Sequence, residues 1–97
     1  MFVVLLKFSD NKSQAAEFMQ AHNEWIKRGI DDGKFLLVGS IQPAQGGAIL
    51  GLESTLEAMQ ERVNADPFVA HGVVRAEIIE IRPGKVDPRL AVLAAAP

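Results

Sequence analysis

The order of the strand-like and helix-like segments most constrains how this chain can fold. Four short segments rich in Val, Leu, Ile and Phe alternate with two segments whose apolar residues recur at helical spacing. The resulting order is β-α-β-β-α-β. Two helices inserted in this way can both cover one face of a four-stranded antiparallel sheet. The sequence therefore predicts one α+β domain.

Turn and capping residues set the expected limits of these segments. Ser13 is a candidate N-cap for the first helix, and Gly33 is expected to end it. Pro67 disfavours helical geometry at Asp66 and so ends the second helix. The order corresponds to the ferredoxin-like, split βαβ arrangement. The predicted elements are a strand over 2–8, a helix from 13 to about 32, strands over 34–41 and from 48, a helix over 54–65, and a strand over 73–81.

The length of 97 residues fits a single domain with one hydrophobic core. The chain contains no cysteine, so disulfides and thiolate metal sites are excluded. We predict that residues 1–83 form the domain. Residues 84–97 are expected to form a C-terminal tail that either packs on a neighbouring subunit or frays.

The first strand is apolar on both of its faces, since "FVVLL" offers no polar alternation. Helices can cover only one of these faces. A second copy of the chain is the simplest cover for the other. The sequence thus predicts a homodimer in which two sheets pack face to face, and it leaves assembly beyond the dimer open.

Composition argues against two classes of partner. The formal net charge is −2 and the signs are mixed along the chain, so no basic patch suited to nucleic acid is present. No apolar run reaches the roughly 20 residues that span a bilayer. The apolar start "MFVVLLKF" is too short for a signal peptide and lacks its basic region. We expect a cytoplasmic protein that does not bind membranes.

The stretch "QAHNEWIKRG" places a histidine on an apolar helix face. His22 shares this face with Phe18, Trp25 and Ile26 at helical spacing. Two interpretations are open. His22 is either a core residue hydrogen-bonded to a backbone carbonyl, or an acid/base group beside a pocket. In the second case a carboxylate would fix the tautomer and leave the other ring nitrogen free to act as a base.

Several motifs, taken together, resemble the YciI-like (YCII-related) family. They are "AHNEWIKRGIDDGKFLLVGS", the "GG" that opens the third strand, and "ADPFVAHGVVRAEIIEIRP". The resemblance covers residues 1 to about 83. It implies a dimeric α+β barrel with a His–Asp pair, which correspond here to His22 and Asp66. Many family members read Gly-Pro where this chain has Gly39 followed by Ser40.

The resemblance also implies a function. It suggests an enzyme that needs no cofactor and that performs acid/base chemistry, elimination or isomerisation, on a small and ring-derived molecule. The one characterised reaction associated with the family is dehydrochlorination of a chlorinated hydroxyhydroquinone. We expect the substrate-binding residues to be Ser40, Trp25, Gly47 and Phe68. For each of them a purely structural role is the alternative.

Other interpretations carry less support from the residues. His71 reads as an exposed loop residue. Two distant histidines and one carboxylate do not have the paired spacing of a zinc site, so no metal is expected. Gly46 and Gly47 precede a strand and lack the following Lys-Ser or Lys-Thr of a phosphate loop. The alternative function is a non-catalytic dimer that binds a metabolite or docks on a protein, with His22 structural.

Overall fold

The computed structural model describes residues 1–94 and has the predicted order of the main elements. Its four strands form one antiparallel sheet with the spatial order β2-β3-β1-β4, which is the ferredoxin-like topology. The strands are β1 (Phe2–Phe8), β2 (Phe35–Ile41), β3 (Gly46–Gly51) and β4 (Val74–Glu80); the helices are α1 (Ala15–Asp31), α2 (Leu56–Asn64), α3 (Pro67–Ala70) and α4 (Ala91–Ala94).

The core lies between the sheet and the helices. In β1, Phe2, Val4 and Leu6 are buried on the helix side, while Val3 and Leu5 on the other side are only half-buried. This alternation follows from the pleat, which sends successive side chains to opposite faces. The remaining buried core residues are Trp25, Phe35, Ile49, Met59, Val63, Phe68, Val73 and Val74.

Local signals explain where α1 ends and where α2 begins. The backbone N–H of Gly33 donates to the carbonyl of Ile30 at 3.0 Å, and its φ of 72° is one that glycine adopts without strain. Thr55 is the N-cap of α2, because its side-chain oxygen accepts from the backbone N–H of Ala58 at 3.0 Å. Gly33 follows the end of α1 as predicted, and α2 begins at Leu56, two residues after the predicted start at 54.

The N-cap expected at Ser13 is wrong. Residues Lys12–Gln14 form a 3-10 turn that leads into α1, and Gln14 occupies the N-cap position without a side-chain capping bond. A different serine, Ser9, lies at this corner. Its hydroxyl is within hydrogen-bonding distance of the carbonyls of Gly72 and Val73, which joins the end of β1 to the segment before β4.

Three further elements were not predicted. The short helix α3 begins directly after Asp66. In the predicted tail, Pro88–Leu90 form a 3-10 turn before α4, and Leu93 is buried within the single chain. Leu93 is thus covered by its own chain, whereas Leu90 and Val92 are about half exposed and residues 95–97 of the predicted tail lie outside the described part.

The sheet face away from the helices is apolar at one end. The strand register aligns Leu37, Leu50, Val3 and Ile79 in one row across all four strands. Leu37 is 58% exposed and Ile79 is 41% exposed. Towards the opposite end of this face, Lys7 lies opposite Arg75. Within residues 1–94, no helix combines the length and the apolarity needed to cross a bilayer.

Candidate active site

Two elements bring His22 and Asp66 together. His22 lies in the middle of α1, on the side that faces the sheet and α3. Asp66 directly precedes α3, and its extended backbone (φ −64°, ψ 123°) interrupts the helical path after α2. Its carboxylate caps α3, because Oδ1 accepts from the backbone N–H of Phe68 at 3.0 Å. Pro67 at the first helical position favours this start.

The same carboxylate oxygen contacts the imidazole. Nδ1 of His22 lies 2.7 Å from Oδ1 of Asp66, a short hydrogen-bonding distance. Asp66 is fully buried, and the His22 side chain is 12% exposed. Oδ2 of Asp66 is buried and has no hydrogen-bond partner among residues 1–94. The carboxylate of Asp66 thus both caps α3 and contacts His22.

Stacked rings hold the imidazole in place. The His22 and Phe68 rings are nearly parallel, with centroids 3.9 Å apart. A second stacked pair, Phe18 and His71, has the same centroid separation of 3.9 Å. Each pair joins α1 to the α3 segment, and each contains one phenyl and one imidazole ring. His71 is exposed as predicted and does not line the cavity described below.

A cavity of about 320 Å³ lies beside His22. Its walls come from β1, α1, the β2–β3 hairpin, α3 and β4, and they are largely apolar. The polar side chains on the walls are His22, Asn23 and Ser40. The apolar side chains are Leu6, Phe8, Met19, Ile26, Val38, Ala48, Ile49, Phe68 and Val74.

Three of the four expected substrate-binding residues line this cavity, namely Ser40, Gly47 and Phe68. Trp25 does not. It is buried, its indole N–H donates to the carbonyl of Arg62 at 2.8 Å, and its ring lies behind His22 with centroids 5.9 Å apart. Trp25 packs at the end of α1 that faces α2 and β2, so the fold does not bring it to this cavity.

Gly46 and Gly47 differ in how much room the structure leaves for a side chain. Gly46 has a φ of 131°, and a Cβ there would lie 2.0 Å from the Leu6 carbonyl oxygen, so the backbone excludes any side chain. At Gly47 a Cβ would meet only the Gly39 carbonyl oxygen, at 3.4 Å. The missing side chain of Gly47 thus leaves space that belongs to the cavity.

Residues that the sequence analysis missed also line the cavity. Met19 and Ile26 lie three residues before and four residues after His22. The sequence analysis placed Ile26 on the helix face of His22 without predicting that it lines a pocket, and the same helical period would have identified Met19. Asn23 carries no such signal, since it is simply next to His22. Within residues 1–94, no group of three His, Cys, Asp or Glu side chains is placed to hold a metal ion.

A cluster of charged side chains lies away from the cavity, between α2 and the residues next to β2 and β3. Glu53 accepts from Arg62 Nε at 3.0 Å and lies 3.4 Å from the ammonium of Lys34. Burial by itself raises the pKa of Glu53, but these hydrogen bonds and the Lys34 charge outweigh burial and lower its pKa below the ordinary value. This cluster packs beside Phe35 and does not line the cavity.

Fold and site together define a single α+β domain in which a hydrogen-bonded histidine and aspartate adjoin a small apolar cavity. The chain belongs to the YCII-related domain family, whose model matches residues 1–95. That match extends beyond residue 83, the expected end of the domain.

A solved structure supports the fold. The chain is similar to 5-chloro-2-hydroxyhydroquinone dehydrochlorinase (TftG) from Burkholderia phenoliruptrix AC1100, in complex with 2,5-dihydroxybenzoquinone. The TM-score is 0.72 at 14% identity, over 86% of this chain and 94% of the other. At this identity the likeness establishes the fold alone. The sequence matches no curated protein.

Proposed function

We propose that this chain is a small enzyme that uses no organic cofactor and in which His22, oriented by Asp66, transfers protons to and from a small, ring-derived substrate. The observation that carries the proposal is the 2.7 Å contact between Nδ1 of His22 and Oδ1 of Asp66, beside a cavity that His22 lines. The family and a structural neighbour that is a dehydrochlorinase support elimination or isomerisation.

The pair fits general acid/base catalysis. With Nδ1 engaged by Asp66, Nε2 is the ring nitrogen left to exchange a proton with a ligand. In an elimination, Nε2 takes a proton from substrate carbon or oxygen, the electrons of that bond form the new π bond, and the leaving group departs with the electrons of its own bond. In an isomerisation, the same proton returns to a different atom.

Solvent deuterium exchange into enolisable ring ligands tests the base without requiring the right leaving group. We would follow exchange by NMR for wild type, His22→Asn and Asp66→Asn, with His71→Asn as the matched control for an imidazole off the cavity. His22→Asn should slow exchange roughly 10²- to 10⁴-fold, the usual contribution of a positioned base. His71→Asn should exchange like wild type.

The outcome also separates the enzyme from the alternative, a binding or docking module. If His22→Asn binds the ligand but exchanges it as fast as wild type, His22 is not the base and the module is favoured. Asp66→Asn should lower the exchange rate as well. It should also destabilise the fold by about 1–3 kcal/mol, because its amide would place a donor where the buried Oδ2 has no partner.

We also propose that two copies pair through the open sheet face. The support is the row Leu37, Leu50, Val3 and Ile79, which continues across all strands and leaves Leu37 more than half exposed. Sedimentation velocity at micromolar concentration should give a dimer, and Leu37→Asp should give a monomer. Leu56→Glu, an equally drastic change at an exposed apolar residue of the helix layer, should leave the dimer intact. A wild-type monomer would contradict this pairing.

A further inference from the structure

Phe68 contacts both members of the His22–Asp66 pair. Its backbone N–H donates to Oδ1 of Asp66 at 3.0 Å, and the same oxygen lies 2.7 Å from Nδ1 of His22. Its ring stacks on the imidazole with the planes only 4° from parallel. Phe68 is 4% exposed, so the surrounding core holds this ring in place. One residue thus restrains the carboxylate through its backbone and the imidazole through its side chain.

The hydrogen bond at Nδ1 leaves one motion of the imidazole open. It decides which edge of the ring faces Asp66, but the plane of the ring can still tilt, because the χ2 torsion of histidine has broad minima. The parallel Phe68 ring restricts this tilt, since its centroid lies only 3.9 Å from that of the imidazole. Trp25 restrains the ring less, because it lies 5.9 Å away and is inclined by 27°.

From this geometry we propose that Phe68 is a positioning residue, whose ring sets the plane of the His22 imidazole and so aims Nε2 into the cavity. The proposal rests on the proposed function, since it concerns how the same imidazole transfers a proton. It differs from the substrate-binding role expected for Phe68, because the imidazole covers one face of the Phe68 ring. Aim matters to the rate, since a misplacement of about 1 Å can slow a reaction roughly a hundredfold.

The second stacked pair provides a matched control. Phe18 and His71 also join α1 to the α3 segment, with centroids 3.9 Å apart and planes 7° from parallel. Neither residue is among those that line the cavity. Phe18→Leu therefore removes an equivalent contact between the same two elements and leaves the ring that faces His22 in place.

The imidazole itself gives the first measurement. In the full chain with 15N-labelled histidine, NMR would follow the lifetime, against exchange with water, of the proton between Nδ1 of His22 and Asp66. Phe68→Leu should shorten this lifetime roughly three- to tenfold, the usual contribution of an aromatic pair. Phe68→Tyr keeps the flat ring and should restore the wild-type lifetime, and Phe18→Leu should leave it unchanged. Phe68→Met, another apolar residue without a flat face, replaces Phe68→Leu if the latter does not fold.

Proton transfer gives the second measurement. We would follow deuterium exchange into 2-indanone, an enolisable cyclic ketone, and normalise each rate by the folded fraction from urea denaturation. Phe68→Leu should slow exchange roughly ten- to hundredfold at saturating ligand, because lost aim lowers the transfer rate rather than the affinity. Phe68→Tyr and Phe18→Leu should both exchange within about twofold of wild type, since both keep a flat ring against His22.

The outcomes separate the positioning role from the proposed function. An unchanged proton lifetime or an unchanged exchange rate in folded Phe68→Leu overturns the positioning role. An equal loss in Phe18→Leu overturns it too, because the contact between α1 and α3 would then orient the imidazole. If the lifetime depends on Phe68 but wild type exchanges no faster than His22→Asn, the acid/base function is wrong and the restraint on the ring stands.

Discussion

The helix-covered face of the sheet has one packed end and one open end, and β3 places a glycine at each. At the packed end, Gly51 lies beside Phe35, and a Cβ on Gly51 would be 2.9 Å from Met59 Cε and 3.0 Å from the Lys34 carbonyl oxygen. At the open end, Gly47 lies opposite Ser40 and Leu6. The missing side chain of Gly51 therefore lets neighbouring atoms pack closely, whereas the missing side chain of Gly47 leaves space that is part of the cavity.

Neighbouring elements explain the difference. The Phe35 ring lies against Gly29 of α1, where a Cβ would come 2.1 Å from Phe35 Cδ2. Trp25 contacts the same ring edge-on, with centroids 5.0 Å apart. At the open end, no large side chain of α1 fills the corresponding space, and the imidazole of His22 forms part of the wall instead. Stability is thus expected to depend on the packed end, and ligand binding on the open end.

The largest effect should come from shortening one β2 side chain at the packed end and one at the open end. Phe35→Ala removes a buried ring and should lower the free energy of unfolding by about 3–5 kcal/mol. Val38→Ala, three residues along the same strand and on the cavity wall, should cost only about 1 kcal/mol. Urea denaturation of the two variants at pH 7 measures both values. Equal losses would mean that the two ends are packed alike.

The glycines of β3 provide a sharper comparison. Gly51→Ala should destabilise the fold by about 1–3 kcal/mol, because the new methyl group meets a backbone carbonyl that cannot easily move. Gly47→Ala should change stability by less than about 0.5 kcal/mol, because its methyl group would meet only the Gly39 carbonyl oxygen, at an ordinary contact distance of 3.4 Å. Thermal unfolding gives the stabilities, and a ligand titration should show weaker binding for Gly47→Ala alone.

The smallest effect concerns the charges that close the packed end. Because the pKa of Glu53 is lowered in the fold, its ionised form stabilises the protein above the ordinary pKa of 4.5, and this contribution disappears as the pH falls through the lowered value. Glu53→Gln should therefore cost up to about 1 kcal/mol at pH 7. The two proteins should converge as the pH falls from 4.5 through the lowered pKa of Glu53, as denaturant titrations at several pH values would reveal. A constant difference would rule out this origin.

Much of the fold could be predicted from the sequence because it depends on local patterns. The apolar strands, Gly33 and Thr55 each carry their own signal. The 3-10 turn before α1 was not predicted, because Ser13 considered alone has the character of an N-cap. The short helix α3 was not predicted, because a four-residue helix leaves no periodic pattern. The homodimer and the cytoplasmic location remain predictions.

The site could be predicted only in part. The sequence and the family resemblance pointed to His22 and Asp66, which the structure places 2.7 Å apart. Trp25 shares the helix face of His22, but periodicity does not say which part of that face meets α2 and which part meets the cavity. A cavity is a volume that three or four elements leave unfilled. No single segment encodes it, which is why Asn23 was missed and why Gly47 and Gly51 look alike in the sequence.

The two stacked ring pairs between α1 and α3 have an evolutionary consequence. They hold α1, which carries His22, against the α3 segment that Asp66 precedes, while Val38, Ser40 and Gly47 on the β2–β3 hairpin line another part of the cavity. Neither Ser40 nor Gly47 contributes a hydrogen bond to the pair. Mutation of the hairpin is therefore expected to change ligand preference while the His22–Asp66 contact, the proposed proton-transfer pair, stays unchanged. A randomised library confined to these three positions is a rational starting point for altering specificity.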